Sequence, residues 1–361
     1  MWGQWCGVIS GTNSGSIVLN IDADSENIGK ILFADSDPDK ASFFANINIV
    51  HEKNKFTGYI DNFVVYSPNS SAQQVKVLQD TLPIQAQILG DINEDGINGI
   101  WRCNNDTQGK IELTYLENYT TTKSDKTMSW SKFQSWILRQ KKDNPGLIFR
   151  GHSDALYGLK TSFHRQERRD LVRYADQDIP ELAKHVTPSL GRNFNLFDAN
   201  EYSELLYIAQ HHGFPTPLLD WTESPFVAAY FSFHQLDKKA ESGNIRVFMF
   251  DQVLWRKNDH ASVRNIAEPK PSFCPFVIFS RDNPRGLPQQ SHVIYSNIYN
   301  IEAYIRFIEE KDNAKYLTSI DIKASERNNA MKDLEIMGIT ASTLFPGLDG
   351  VCQAIKEKNF K

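Results

Sequence analysis

Short runs that alternate apolar with polar residues fill the first 119 positions. Ser16-Ile17-Val18-Leu19-Asn20-Ile21, Lys30-Ile31-Leu32-Phe33 and the run 44–50 each have a strand's length and are separated by Gly, Asn, Asp and Ser. Period-two patterning bounded by turn residues predicts β-structure. Gly3-Gln4-Trp5 followed by the run 15–19 is echoed by Gly99-Ile100-Trp101 followed by the run 109–113. The domain is therefore expected to begin and end with similar hairpins, and to close as a small barrel or sandwich whose edges meet. Between them, 72–89 lacks the strand pattern, and Val75, Val77 and Leu78 support one short helix.

The threonine-rich polar stretch 119–126 has no periodicity and marks a boundary, giving a β-rich domain over 1–119 and a second domain over 120–361. Trp130, Phe133, Trp136 and Ile137 then recur at helical spacing behind a serine-rich start. Residues 147–151 read as a strand running into a glycine. Helices are expected over 166–186, 200–212, 302–310 and 325–337, and strands over 245–250, 276–279 and 316–322. The fold class is α+β, with an all-β barrel or sandwich ahead of an α+β domain.

A chain of 361 residues is long enough for two cores. A net charge of -5 gives no global basic field for nucleic acid. Cys6, Cys103, Cys274 and Cys352 are scattered, without CxxC or zinc-site spacing, which reads as reduced thiols and a cytoplasmic protein. No basic leader precedes an apolar run and no eighteen apolar residues are consecutive, so neither secretion nor membrane spanning is expected.

The chemistry concentrates in 211–231. A helix ends near His211-His212, Gly213 allows a left-handed exit, and Pro215 and Pro217 stop its continuation. A second helix follows, capped by Thr222 or Ser224, with Pro225 in its first turn and Phe226, Ala229, Tyr230 and Phe233 as one apolar stripe. Asp220, Trp221 and Thr222 are expected at a turn before that helix, where backbone N–H groups are free to meet an anion. Arg150 stands at a strand end beside Gly151, which permits close backbone approach. Arg285 and Gln289-Gln290 lie in a polar loop. Taken singly, each has a plain structural account: Asp220 caps, Trp221 fills a core, and the histidines satisfy helix-end carbonyls.

Jointly they resemble a family. Phe149-Arg150-Gly151 with Leu159-Lys160-Thr161-Ser162-Phe163-His164-Arg165 is similar to the opening motif of FRG-domain proteins. His211-His212-Gly213-Phe214-Pro215-Thr216 with Leu218-Leu219-Asp220-Trp221-Thr222 and Ala228-Ala229-Tyr230-Phe231 resembles their central motif. Arg285 with Gln289-Gln290 matches a third, and 344–350 the closing segment, so the resemblance runs from about 128 to 355. Pro217, where many relatives have arginine, and Ser291-His292-Val293 depart from the pattern.

The motif order is also similar to the layout of ADP-ribosyltransferases, which implies NAD as substrate and ADP-ribosyl transfer or NAD hydrolysis. On that likeness Arg150, His212, Asp220 and Gln289 would be catalytic, while Gly151, Trp221, Thr222, Tyr230 and Arg285 would bind ligand. Glutamine is no general base, so Asp220 or His212 would supply proton chemistry, or the reaction would be slow hydrolysis. The alternative is a non-catalytic nucleotide- or peptide-binding sensor in a phage-defence or toxin system, with the N-terminal domain contacting a protein partner. A Ser-His-Asp hydrolase is disfavoured by the lack of G-x-S-x-G, and a metal site by the lack of a third ligand at fixed spacing.

Overall fold

In the computed structural model, residues 2–25, 27–37, 39–66, 72–115, 123–234, 236, 243–258, 260, 266–276 and 285–360 are described. Alternation dictates the N-terminal part. β1 (Gly3–Gly11), β2 (Gly15–Ile21), β3 (Ile28–Asp35), β4 (Ser42–Glu52), β5 (Lys55–Tyr66), β6 (Ala86–Ile92), β7 (Gly96–Cys103) and β8 (Gln108–Tyr115) each run antiparallel to the next. β8 returns to β1 with Ile9 opposite Ile111, so the first and last hairpins meet and the sheet closes as a barrel rather than a sandwich. Closure removes both open edges. Trp5, Leu19, Ile31, Ile47, Phe56 and Ile88 point into the interior and form its apolar core. The single helix expected between strands is Ala72–Thr81. Its Gln79 amide bridges Phe63 O and Val65 N and ties the helix to the barrel rim.

The boundary placed at 119 falls in 116–122, outside the described residues. Beyond it lies a seven-stranded sheet in the order β13 (Phe273–Phe276), β14 (Ser291–Ser296), β11 (Leu218–Thr222), β10 (Leu147–His152), β12 (Asn244–Asp251), β15 (Leu317–Lys323) and β9 (Lys126–Met128). Its pairs are antiparallel except β15 with β9. The strand expected over 276–279 meets β13 only at Phe276, and 277–279 are outside the described residues. Helices cover both faces, so the central strand β12 is buried from Ile245 to Phe250 without alternation, its one charged side chain there, Arg246, paired with Asp321 at 2.7 Å. On one face helices Trp130–Asp143 and Pro225–His234 pack on Phe149 and Val247. On the other, helix Ile301–Asp312 packs on Ile148, Phe248 and Trp221. The helical stretch expected over 166–186 is interrupted: helix Leu171–Arg173 passes through a π-turn at Tyr174–Asp178 into helix Ile179–Leu190.

The two parts are packed together. Val18 and Leu32 on the barrel's outer wall meet Val172 and Ala267. Around this apolar contact the buried Gln4 donates to Asn297 O and accepts from Tyr299 N. Asp22, only 2 % exposed, accepts the backbone N–H groups of Arg169 and Asp170 and pairs with Arg168 at 2.8 Å and Arg173 at 3.5 Å. No disulfide joins the cysteines, and no helix among the described residues is long and apolar enough to cross a membrane.

Removing one carboxylate at this junction strands two backbone donors and one side of two ion pairs. Asp22→Ala is expected to destabilise the protein by about 3 kcal/mol, read as a lowered urea midpoint; an unchanged midpoint would count against the junction's importance.

Candidate functional site

β10 and β11 share one paired position, Phe149 opposite Thr222. Each then leaves with another partner, β10 with β12 and β11 with β14. A cleft of about 710 Å³ opens where they part. Arg150 bridges the split: Nη1 donates to the backbone carbonyl of Asp220, and Nε donates to His152 Nε2 at 3.1 Å. An accepting Nε2 carries no proton, so His152 is neutral and its Nδ1–H donates to Tyr157 O at 3.0 Å. Burial and the Arg150 charge hold the His152 imidazole down to about 3. Burial, with Arg165 nearby and Asp220 opposing, pushes Arg150 down to about 10, which leaves it a cation at neutral pH. Both hydrogen-bond partners of this guanidinium are therefore neutral.

Gly151 is required by the helix behind the strand. A Cβ there would lie 2.0 Å from Ala228 O and 2.2 Å from Ser232 Oγ. The glycine lets helix Pro225–His234 sit directly on β10, so the close approach it permits is that of the protein's own backbone.

Asp220 is held by a chain of polar contacts. The Gln210 amide donates to its Oδ1 at 2.6 Å, the Thr216 hydroxyl donates to Gln210 Oε1, and Thr216 N donates to Ser162 Oγ at 2.9 Å. Phe163 N also donates to Thr216 O at 3.0 Å. The segment 159–165 is thus pinned to the segment 210–220, and the carboxylate is oriented by an amide rather than by a cation.

Asp220-Trp221-Thr222 form strand β11, not the turn expected; the turn is Glu223-Ser224. Strand pairing to β14 wins because Leu219 and Trp221 bury into one core while Leu218 enters another. Ser224 caps the following helix, its Oγ accepting from Val227 N, and Thr222 Oγ1 accepts from Ser224 N. Glu223 N donates to Gln290 O and Ala228 N to Ser224 O. The N–H groups expected to meet an anion are thus engaged within the protein, and positive charge in the cleft comes from side chains.

Gln289 is not on a strand, as the layout implied, but in the turn before β14. Its Nε2 donates to Leu344 O at 2.9 Å, and its carbonyl accepts from Thr222 Oγ1 at 2.6 Å. His292 closes the same corner through Glu223 Oε1 at 2.7 Å.

Arg150, Gly151, Asp220, Trp221, Thr222, Arg285 and Gln289 all border the cleft. Two assigned residues do not. His212 is exposed at the helix C-cap, and its neighbour His211 faces the cleft instead. Tyr230 is fully buried, with its hydroxyl toward His234 and Glu357. Adjacent helical positions point about 100° apart, so the doublet identified the turn of helix without identifying the histidine. Lys160, Arg165 and His152 border the cleft as well. The first two stand in the motif quoted above, but a loop has no periodicity to say which side chains converge. Four cations, Arg150, Lys160, Arg165 and Arg285, thus face one carboxylate, Asp220.

His211 Nε2 and Trp221 Nε1 are buried without a protein partner. Burial, with Arg285 and His212 adding to it and Asp220 opposing, lowers the His211 pKa and keeps the ring neutral at pH 7. Among the described residues no three His, Cys, Asp or Glu side chains gather as a metal site.

Two outcomes follow from this packing. Gly151→Ala must push the Pro225–His234 helix off the sheet and should cost about 3 kcal/mol, seen as a lower melting temperature. Because the folded-state pKa of His152 is about 3 against an ordinary 6.5, the unfolded chain binds the extra proton between those values. Stability should therefore fall as pH drops below about 6.5 and keep falling toward about 3; urea midpoints measured against pH should show a shallower slope in His152→Gln.

Residues 145–241 match the family model of the FRG domain. The match takes in β10, the 159–165 segment, β11 and the helix on Gly151, and stops short of Arg285 and Gln289. The chain matches no curated protein and no solved structure. A sheet split at Phe149–Thr222, a helix seated on Gly151 and a carboxylate held by Gln210 are how this sequence builds what the family match identifies: the C-terminal part of the chain carries an FRG domain.

Proposed function

We propose that the cleft binds NAD or a related nucleotide through its diphosphate, and that the domain breaks the nicotinamide–ribose bond by hydrolysis or ADP-ribosyl transfer. One observation carries this reading: the half-buried Arg150 guanidinium hydrogen-bonds only neutral groups among the described residues and stands among three further cations in a protein of net charge -5. Four cations facing one carboxylate repel one another at a cost, and an anionic ligand removes that cost. Arginine's fork suits phosphate oxygens, and the cleft's volume lies in the small-molecule range.

In this reading Arg165, Lys160 and Arg285 hold the phosphates with Arg150, while Phe231 and Phe345 offer apolar surface to a ring. Asp220, fixed by Gln210, stabilises the positive charge that develops on the ribose as the C–N bond breaks. Neutral His211 accepts a proton from the attacking water or acceptor hydroxyl, so water adds at the anomeric carbon as nicotinamide leaves with the bond's electron pair. Such NAD consumption would suit a toxin or phage-defence effector.

A second reading is favoured by Gln289, whose amide is already committed to Leu344 O and which brings no carboxylate to the late position. The cleft would then sense a nucleotide without turning it over.

Purified full-length protein incubated with NAD should release nicotinamide, and Asp220→Asn should slow release about 100-fold or more. Arg165 is exposed and bonds only to Lys160 O, so Arg165→Ala should weaken nucleotide affinity about tenfold with the melting temperature unchanged. With the His211 pKa lowered, turnover should fall only at more acidic values than an ordinary histidine would set, read as the acid limb of the pH profile. Calorimetric binding of ADP-ribose without nicotinamide release would select the sensor, and neither binding nor release would overturn both readings.

A further inference from the structure

The barrel holds a second cavity, of about 390 Å³, unrelated to the cleft. Small barrels of eight strands either fill their interior with side chains or hold one small ligand. Here the inward positions near one end are small: Ala86, Cys103 and Gly109. Ile17, Phe33, Phe43, Ile88 and Ile111 complete an apolar wall. The mouth lies among the β1–β2, β3–β4, β5–β6 and β7–β8 connections, and Leu78, Leu82 and Pro83 of the β5–β6 connection flank it. Asp22, which grips the second domain, lies on the β2–β3 connection at the other end; at the mouth end the second domain reaches Tyr66, whose hydroxyl donates to Glu268 at 2.9 Å, and the cavity lining itself comes from the barrel alone.

One polar atom breaks the apolar interior. Trp101 is 7 % exposed and borders the cavity, and its indole Nε1–H is buried with no acceptor. A Cβ on Gly109 would lie 1.8 Å from Ser10 O and 2.8 Å from that nitrogen, so the glycine lets β1 and the indole close over β8 at this point. Indole N–H groups in protein interiors normally find an acceptor, and none is supplied among the described residues. At the rim Asp39 and Lys40 balance one another, so the entrance favours neither sign of charge.

We propose that the barrel interior is a ligand site for a compact, uncharged apolar molecule bearing one hydrogen-bond acceptor, the apolar body seated against the isoleucine and phenylalanine wall and the acceptor on Trp101 Nε1. The site is independent of the nucleotide cleft.

The test uses the full chain and N-phenyl-1-naphthylamine as fluorescent probe. Saturable one-to-one enhancement is expected, with the probe displaced by 1-acetylnaphthalene about fivefold more tightly than by the isosteric 1-ethylnaphthalene, which lacks the acceptor. Trp101→Phe should abolish that fivefold preference. Ala86→Trp, which fills the mouth, should weaken probe binding about tenfold or more, whereas Arg165→Ala in the other cleft should leave it unchanged. If Ala86→Trp lowers the melting temperature sharply, Ala41→Trp at the rim replaces it. No saturable enhancement in the wild type, or undiminished binding by the mouth-filling variant, would overturn the site. A preference that survives Trp101→Phe would overturn the acceptor's placement.

Discussion

Arg150 is the constraint around which the second domain is arranged. Its guanidinium spans the gap where β10 and β11 part, tied to a carbonyl on one strand and a neutral imidazole on the other. Had the strands stayed paired beyond Phe149, main-chain bonds would have closed the gap; had Arg150 met a carboxylate, its charge would have been spent inside the protein. Neither happens. The tie holds the cleft open and keeps its charge, and the neutral state of His152 follows from it, because a protonated ring could not accept from Nε.

Much of this was legible beforehand. Period-two runs predicted a β-domain closing as a barrel or sandwich, and the echo between the first and last hairpins anticipated the seam where Ile9 meets Ile111. Gly213 takes the left-handed φ of +83° that a helix exit requires. What was not legible has physical reasons. Asp220 to Thr222 read as a turn in the sequence because a five-residue strand buried on both faces shows no alternation, and the capping residues beside it dominate the local signal. Tyr230 belonged to a helix that is buried almost all round, where the stripe seen in sequence does not separate a core face from a cleft face. His211 and His212 could be told apart only once the helix had a rotational setting.

The separated motifs of the sequence also acquire a mechanical account. Ser162 and Phe163 are fastened to Thr216, Thr216 to Gln210, and Gln210 to Asp220. The Gln289-Gln290 turn is fastened to Thr222 and Glu223, and Gln289 to Leu344. Residues far apart in the chain stand together because each is a hydrogen-bond partner of the next. Thr222 and Gln289 act in this fastening, which explains their presence whether or not either touches a ligand.

The barrel, finally, bears on the cleft through the same cations. Lys160 lies 3.5 Å from the ring centroid of Tyr299, whose backbone N–H is held by Gln4 of β1. Arg165 precedes by a few residues the Arg168–Asp170 segment that Asp22 grips from the β2–β3 connection. Two of the four cations facing Asp220 are therefore carried on a wall that the barrel braces at both ends. A loop bearing like charges would otherwise relax outward, since Arg150 and Arg165 repel one another across the cleft. Docking of the N-terminal domain opposes that repulsion, so the electrostatics of the FRG cleft depend on a contact made outside the FRG match.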